Sequence, residues 1–294
     1  MSLWSTIAKK RLEKSIRKGR LEVVFPNGKT AVFGQHCDHP VRIAVKSEAW
    51  LRRIVLDPEL QLGEAYMEGG LVLETGDLYE LLDLLWTNIL SKGSAHAALP
   101  SFLRKTFRAV AQFNPQARSA RNVAHHYDIG NDLYRLFLDD DMQYSCAYFP
   151  KPQTSLDDAQ RFKKDHIARK LCLKPGDHVL DIGCGWGGLA MHLAEREDVR
   201  VHGVTLSCEQ HCLAQERAET AGLSDRVDFE IQDYRNLTGE YDKIVSVGMF
   251  EHVGVPHYRE YFDQIAARLG ENGTALIHTI GRSPGPGATN PWIA

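Results

Sequence analysis

The chain has 294 residues, of which 43% are hydrophobic and 25% charged, and a formal net charge of −3 at pH 7. This composition is that of an ordinary globular protein and excludes global disorder. The near-neutral charge balance gives no overall basic field, so we expect no nucleic-acid partner. The sequence contains no uncharged apolar run of the about 18 residues that a membrane-spanning helix needs.

The first twenty residues are basic, and because lysines and an arginine at 9–11 interrupt the apolar residues, we expect no signal peptide. Leu3, Ile7 and Ile16 have helical spacing. They predict either a basic amphipathic helix that lies on anionic lipid or a solvated helix that caps the first domain. The six cysteines form no CxxC pair and are expected to be free thiols in a reducing compartment. We therefore expect a cytoplasmic protein, peripheral at the inner face of the membrane.

The first part of the chain predicts a small α+β domain. Apolar runs at 21–25 and 30–33, separated by Pro26-Asn27-Gly28, predict a β-hairpin. The pattern then predicts a helix from Ser47 to Asp57, a short helix or loop over 63–70, a strand over 71–73 and a helix over 77–90. We place this domain at 1–115, with a linker at about 91–121.

Residues 122–294 predict a second domain of the α/β class. Ser155, followed by two aspartates, begins a helix that runs through Leu171. Five short apolar runs then alternate with helical stretches, at 178–182, 201–204, 227–231, 243–247 and 274–278. Such alternation is typical of a doubly wound, mostly parallel Rossmann-like sheet.

The first of these strands ends in a glycine-rich turn, Asp181-Ile182-Gly183-Cys184-Gly185-Trp186-Gly187-Gly188. Glycines allow a ligand to approach the backbone closely at a helix N-terminus. Nicotinamide and flavin sites also place an acid about 20 residues further on, whereas here the second strand runs into Thr205-Leu206-Ser207. This counts against a dinucleotide enzyme and favours a methyltransferase, in which Asp181 helps to hold the methionine ammonium of S-adenosylmethionine.

The second and third strand ends each allow two interpretations. Ser207 and Gln210 fit a capping box, with Gln210 returning to the Ser207 amide, and they also lie where a cofactor ribose would bind. After Gln232, Asp233 either bonds an adenine amino group, with Tyr234 packed on the ring, or forms a strand-end turn.

The fourth and fifth strands run into Glu251 and His278, which would lie close to a transferable methyl group. Alternatively, Glu251 only begins the next helix and His278 is a structural histidine. The aromatic stretch at 125–149 either shields a reaction or packs in the core. No base can be assigned to Cys146 as a nucleophile, and Cys208, His211 and Cys212 lack further ligands, so we expect no metal.

Six motifs together resemble the cyclopropane-fatty-acyl-phospholipid synthase family, which includes the mycolic acid cyclopropane synthases. They are His126-Tyr127-Asp128-x-Gly130-Asn131, Tyr144-Ser145-Cys146-Ala147-Tyr148, the glycine-rich turn at 181–187, Thr205-Leu206-Ser207-x-x-Gln210, Phe250-Glu251-His252-Val253-Gly254 and His278-Thr279-Ile280-Gly281. The resemblance covers about residues 122–294, and six motifs in the family's order are far more specific than the glycine-rich turn alone.

The resemblance implies that a cis double bond of an unsaturated phospholipid acyl chain attacks the methyl of S-adenosylmethionine. A bound bicarbonate then removes a proton from the added methyl, and a cyclopropane ring closes. The implied holders of bicarbonate are Cys146 through its backbone, Glu251, His278 and Ile280, and the implied substrate contacts are His126 and Tyr127. The implied cofactor contacts are Tyr144, Ser145, Asp181, Gly183, Cys184, Gly185, Trp186, Gly187, Thr205, Leu206, Ser207, Gln210, Gln232, Asp233, Tyr234 and Gly248.

The family continues beyond the fifth strand with two further strands, an active-site tyrosine and part of the acyl tunnel. Ala294 follows the fifth strand closely, so we expect a fragment of a longer protein, with weak or absent cyclopropanation if it is the whole. Two alternatives stay open: a related lipid methyltransferase that makes methyl-branched or methylene acyl chains, and a non-catalytic cofactor- or lipid-binding fragment. A homodimer, the lipid head group and the double-bond position are also left open.

Overall fold

The structure is a computed structural model that describes residues 2–35, 39–88, 130–281 and Trp292. The chain folds into two compact units, one of Met1–Arg108 with Pro284–Ala294 and the other of Ala109–Ser283. The predicted linker at about 91–121 lies outside the described residues.

The first unit contains a four-stranded mixed sheet with the order β2-β1-β3-β4. Its strands are β1 (Arg20–Val24), β2 (Thr30–Gly34), β3 (Val41–Val45) and β4 (Leu71–Thr75). Strands β1 and β2 form the predicted antiparallel hairpin, whereas β3 runs parallel to β1. Leu21 and Val23 alternate with partly exposed positions and point into the core, as the two-residue period of a strand requires.

The helices described in this unit are α1 (Leu3–Ser15), α2 (Glu48–Leu56), α3 (Pro58–Met67) and α4 (Leu78–Asn88). Ser47 caps α2 as predicted, because its Oγ accepts a hydrogen bond of 3.2 Å from the Trp50 N–H. Helix α3 occupies the stretch that predicted a short helix or loop. It begins earlier than expected, at Pro58, whose fixed φ suits the first turn of a helix.

One side of α1 packs on the core of its own unit. Ala8 and Ile16 are buried there, and Ile7 is partly buried beside them. Leu3, which the predicted apolar stripe included, is instead 68% exposed. These contacts favour the helix that caps the domain over a helix whose whole apolar stripe is free to face lipid.

The second unit contains a five-stranded parallel sheet with the order β7-β6-β5-β8-β9. Its strands are β5 (His178–Ile182), β6 (Arg200–Thr205), β7 (Val227–Ile231), β8 (Tyr241–Val247) and β9 (Leu269–His278). The chain moves outward from β5 in both directions, so the predicted doubly wound, Rossmann-like fold is confirmed. Strand β9 begins before the predicted Thr274, because the glycines at 270 and 273 hid its first half from the apolar pattern.

Among the described residues, the helices of the second unit are α5 (Asn131–Arg135), α6 (Leu156–Leu171), α7 (Gly188–Glu197), α8 (Cys208–Thr220) and α9 (Tyr258–Arg268). Helices α6, α7 and α8 cover the face of the sheet that buries Val179, and α9 covers the face that buries Leu180. Because both faces are covered, the apolar side chains Val179, Leu180 and Ile182 of β5 are all buried. Ser155 caps α6 as predicted, its Oγ accepting from the Asp158 N–H at 3.2 Å.

Candidate functional site

A pocket of about 250 Å³ lies at the carboxyl ends of β5, β6, β7 and β8. In a doubly wound sheet, ligands bind at this edge. Most of the predicted cofactor residues line the pocket: Tyr144, Ser145, Asp181, Gly183, Cys184, Gly185, Trp186, Thr205, Leu206, Gln210, Gln232, Asp233, Tyr234 and Gly248. The structure therefore brings together residues that are up to about 100 positions apart in the sequence.

The glycine-rich turn after β5 shapes one wall of the pocket. Gly185 has a φ of +55°, and a Cβ there would project into open space, so the turn leaves room for a ligand beside the backbone. Gly187 does not line the pocket and has a different structural role. Its φ is +80°, and a Cβ there would lie 2.5 Å from Cζ of Phe229. Gly187 thus lets α7 begin tightly against β7.

Asp181 is buried at the end of β5 and lines the pocket. Its Oδ2 has no hydrogen-bond partner, although a buried carboxylate ordinarily has one. Burial raises the pKa of Asp181 to about 7, and the nearby Lys163 charge opposes the rise. A cation that entered the pocket beside Asp181 would satisfy this oxygen and favour the ionised carboxylate.

The end of β6 and the start of α8 form a closed ring of hydrogen bonds. The Thr205 hydroxyl donates to Oε1 of Gln210 at 2.9 Å and accepts from the Ser207 N–H at 3.2 Å. Ser207 Oγ caps α8 by accepting from the Gln210 N–H at 3.3 Å. The predicted capping box is therefore half formed, because the Gln210 side chain binds Thr205 instead of the Ser207 amide. Ser207 is buried beneath the lining, whereas Thr205 and Gln210 face the pocket.

Asp233 begins a short 3₁₀ turn after β7 and pairs with Arg235. The guanidinium donates to both carboxylate oxygens, from Nε at 2.8 Å and from Nη2 at 2.6 Å. Asp233 Oδ1 also accepts from the Arg235 N–H at 3.0 Å and so caps the turn, which means that the strand-end turn that the sequence predicted is present. Tyr234 packs edge-on against Tyr261. Asp233, Tyr234 and Arg235 all line the pocket.

An aromatic cluster borders the pocket at Tyr144. Tyr134 lies 5.3 Å from Tyr144 and 4.9 Å from Trp186, measured between ring centroids, and Phe137 lies 6.2 Å from Tyr144. The Trp186 indole N–H donates to Oδ1 of Asn131 at 2.7 Å, which ties α5 to the glycine-rich turn. Tyr144 therefore both packs in this aromatic cluster and lines the pocket.

Three of the predicted bicarbonate holders lie together beside the pocket. The Ile280 N–H donates to Glu251 Oε1 at 2.6 Å, and the His278 carbonyl accepts from the Gly248 N–H at 3.1 Å. Glu251 Oε2 and His278 Nδ1 are both buried and without a hydrogen-bond partner. The Cys146 side chain is exposed and does not line the pocket.

The predicted substrate contacts, His126 and Tyr127, lie outside the described residues. Within the part of the chain that the structure covers, no group of three or more His, Cys, Asp or Glu side chains is arranged to hold a metal. No helix in that same part is long and apolar enough to cross a membrane.

Sequence reasoning missed several residues that line the pocket, among them Met249, His252 and Arg235. Met249 and Arg235 adjoin strand-end residues that the sequence singled out, so extending those motifs by one position would have found them, and His252 lies inside a motif in which it was given no role. It also missed Lys163, a lysine on α6 that is only 4% exposed and hydrogen-bonds to Ser145. A lysine between Phe162 and Lys164 gives no signal of burial in the sequence.

Comparison with known proteins identifies the family of the chain. A family model described as mycolic acid cyclopropane synthetase matches residues 114–288. The chain belongs to this family. A second model, described as a domain of unknown function, matches residues 7–94.

Two curated relatives and one solved structure illustrate the similarity. Cyclopropane-fatty-acyl-phospholipid synthase of Escherichia coli K12 is 43% identical over 258 residues, which cover 86% of this chain and 64% of the relative. A protein of Pseudomonas putida described as a probable fatty acid methyltransferase is 40% identical over 262 residues, covering 84% and 63%. The crystal structure of mycolic acid cyclopropane synthase CmaA1 complexed with SAH and CTAB superimposes with a TM-score of 0.53 at 36% identity. The match covers 56% of this chain and 57% of the other.

The chain thus spans a little under two thirds of the length of the curated relatives it matches. Its fold is that of the S-adenosylmethionine-dependent methyltransferases of this family.

Proposed function

We propose that this chain adds a methylene group, derived from the methyl of S-adenosylmethionine, to a cis double bond of an unsaturated phospholipid acyl chain. The observation that carries the proposal is the unpaired, buried Asp181 Oδ2 in a pocket at the carboxyl edge of the sheet. Membership of the family and 43% identity to a cyclopropane-fatty-acyl-phospholipid synthase support the choice of reaction.

The pocket residues fit S-adenosylmethionine by chemistry. Asp181 offers an unpaired carboxylate oxygen to the methionine ammonium. Thr205 and Gln210 offer uncharged polar groups to the ribose hydroxyls, and Asp233 and Tyr234 offer an acceptor and an aromatic face to adenine. When bound, this cofactor supplies an electrophilic methyl group.

The residues beside the pocket fit the removal of a proton. Net addition of CH₂ requires that one proton leaves the transferred methyl, and a weak base in a fixed position suffices. Glu251 and His278 would hold bicarbonate, since Glu251 Oε2 and His278 Nδ1 lack hydrogen-bond partners and bicarbonate both donates and accepts hydrogen bonds. The Ile280 N–H fixes Glu251 by donating to its Oε1 at 2.6 Å, and the Cys146 backbone would be a further holder.

Exposed apolar side chains on the second unit support a peripheral position at the inner face of the membrane. Leu136 is 81% exposed, and Phe137, Tyr148 and Phe149 are exposed in the same region of the sequence as the pocket residue Tyr144. Apolar side chains that partition into the interface bring an acyl chain near the pocket without a spanning helix.

Lipid turnover tests the proposal. The protein is incubated with S-adenosylmethionine and vesicles of monounsaturated phospholipid, and the released acyl chains are analysed by mass. We expect a gain of one CH₂ that resists hydrogenation, because a cyclopropane ring is not an alkene. Binding of S-adenosylhomocysteine without any gain in mass would contradict the proposal and favour a cofactor-binding fragment.

The second candidate is a methyltransferase that makes methyl-branched or methylene acyl chains. It is favoured by the 40% identity to a probable fatty acid methyltransferase. The same carbocation would then end as a branched or unsaturated chain. A CH₂ gain that takes up two hydrogens on reduction would establish an alkene product, either methylene or methyl-branched, and a saturated branched chain would require an added reductant.

A further inference from the structure

Helix α6 presents a buried polar face to the segment that carries Tyr144 and Ser145. Gln160, Lys163 and Lys164 lie on this face at helical spacing, and all three side chains are buried. Buried lysines are rare in proteins unless their ammonium groups are paired. Each of these residues binds the segment 141–145, whose residues Met142 to Ser145 line the pocket.

The Lys163 ammonium donates to two side chains of that segment, to Ser145 Oγ at 2.7 Å and to Gln143 Oε1 at 3.0 Å. An ammonium group can only donate, so the Ser145 oxygen must act as the acceptor in this bond. The hydroxyl hydrogen of Ser145 is then directed away from Lys163. Because Ser145 lines the pocket, this hydrogen is available to an acceptor on a ligand.

Further hydrogen bonds fix the backbone around Ser145. Gln160 Nε2 donates to the carbonyls of Gln143 at 3.1 Å and of Ser145 at 3.0 Å, and Asp139 Oδ1 accepts from the Gln143 N–H at 2.7 Å. Lys164 pairs with Asp141 from the next position of α6. The orientation of Ser145 is therefore built into the protein before a ligand arrives.

Lys163 also adds positive charge at this end of the pocket. The groups that act on its charge are Asp139, Lys164, Asp141 and Cys146, and Lys163 in turn acts on Asp181. Burial lowers the pKa of Lys163 to about 8, with Asp139 opposing the shift, so the ammonium form prevails at neutral pH. The pocket thus holds an unpaired acceptor at Asp181 and an oriented donor with a cation behind it at Ser145.

This pair matches an α-amino acid. The ammonium and carboxylate of methionine sit on one carbon atom, so a site that takes the ammonium at Asp181 must find a donor for the carboxylate close by. We propose that Lys163 is a positioning residue that turns the Ser145 hydroxyl towards the carboxylate of the cofactor's methionine. The inference rests on the proposed function, since it assumes an S-adenosylmethionine-type ligand.

Two nucleoside ligands separate this role from a general structural one. S-adenosylhomocysteine carries the amino-acid group, whereas 5′-methylthioadenosine keeps the adenosine and sulfur but lacks the carboxylate and ammonium. Calorimetry measures both affinities for the wild type, Lys163→Met and Lys163→Arg. The matched control is Lys170→Met, which removes an exposed lysine from the last turn of the same helix.

We expect Lys163→Met to weaken the binding of S-adenosylhomocysteine by about 10- to 100-fold, as for loss of a charge-assisted hydrogen bond. The affinity for 5′-methylthioadenosine should stay within about twofold of the wild-type value. Lys163→Arg should recover part of the loss, because it keeps a charged donor. In a Ser145→Ala background, Lys163→Met should reduce the affinity for S-adenosylhomocysteine much less, since the effects of two substitutions that remove the same contact are not additive. Equal weakening of both ligands by Lys163→Met, or an additive double variant, would overturn the inference.

Two further outcomes are distinguishable. Wild-type protein that binds neither ligand contradicts the proposed function itself. If Lys163→Met loses its cooperative thermal transition, Ser145→Ala carries the test alone, because Lys163 then keeps Gln143 Oε1 as an acceptor. Ser145→Ala should weaken the binding of S-adenosylhomocysteine more than that of 5′-methylthioadenosine, and an unchanged ratio of the two affinities would overturn the inference.

Discussion

The carboxylate of Glu251 accepts a hydrogen bond of 2.6 Å from the backbone N–H of Ile280. This bond joins the segment that follows β8 to the segment that follows β9, at the carboxyl edge of the sheet. It occupies only one carboxylate oxygen, and Oε2 stays buried without a partner. Glu251 is therefore fixed in orientation while it keeps one acceptor for another group.

Replacing Glu251 by Gln tests this acceptor. The amide oxygen can still accept from Ile280, but the second oxygen becomes an NH₂ donor. We expect acyl-chain turnover to fall by about 100-fold or more, because a base that is no longer held in position loses the usual contribution of acid–base catalysis, with little change in S-adenosylhomocysteine affinity. The matched control is Glu271→Gln, at an exposed position of β9, which should keep full turnover. A parallel loss of cofactor binding would show that Glu251 supports the fold instead.

Asp181 predicts a pH-dependent stability of the protein without cofactor. Burial raises the pKa of Asp181 from its usual 3.8 to about 7, so the folded chain holds this proton more tightly than the unfolded chain. The resulting stabilisation is complete below about pH 4 and is lost as the pH rises through about 7. Asp181→Asn stays neutral, so at about pH 8 it should melt about 5 °C or more above the wild type. Because buried histidines titrate alike in both proteins, parallel melting curves across this range would refute the prediction.

The same carboxylate predicts proton release on cofactor binding. An ammonium beside Asp181 favours the ionised form, so binding below about pH 7 must expel the Asp181 proton. The affinity for S-adenosylhomocysteine should therefore increase up to about tenfold per pH unit between about pH 5.5 and 7. Calorimetry in two buffers of different ionisation enthalpy counts the released protons. Asp181→Asn should bind more weakly and release none, and equal proton release by both proteins would exclude this role.

A substitution at Gly187 should destabilise the fold through a steric clash, which a control substitution at Gly176 separates from backbone strain. In Gly187→Ala the new Cβ would lie 2.5 Å from Phe229 Cζ and 3.1 Å from the Ala214 Cβ, at a φ of +80°. Gly176→Ala has the same backbone strain, with a φ of +86°, but meets nothing within 4 Å. Urea unfolding should show a loss of about 1 kcal/mol for Gly176→Ala and at least about 3 kcal/mol for Gly187→Ala. Equal losses would mean that β7 and α8 move aside without cost.

The fold could be predicted from the sequence where one local signal decided the structure. Ser47 and Ser155 marked the starts of helices, and the apolar runs marked the strands of the parallel sheet, because cap chemistry and burial on both faces leave direct traces. The end of β6 was harder. A Ser-x-x-Gln spacing predicts a capping box, but the Thr205 hydroxyl competes for Gln210, and only the three-dimensional placement of Thr205 decides the outcome.

The candidate site could be predicted only as far as its motifs extend. Asp181, Thr205 and Asp233 were found because they lie at strand ends. Lys163 was not, because its role depends on a segment about 20 residues away that packs across α6. The amphipathic pattern of a helix assigns a lysine to solvent, and burial of its ammonium becomes understandable only when the acceptors on Gln143 and Ser145 are known.

The ion pairs of Asp141 affect how the second unit unfolds locally. Its carboxylate pairs with Lys164 of α6 and Arg217 of α8, and Arg217 also donates to the Trp186 carbonyl at 2.8 Å. Burial alone would raise the pKa of Asp141, but the two cations lower it below its usual range. One carboxylate thus joins two helices and the glycine-rich turn. We expect these three pieces to exchange their amide hydrogens as a single cooperative unit, because detaching either helix leaves a partly buried charge unpaired and detaching the turn breaks the bond from Arg217 to the Trp186 carbonyl.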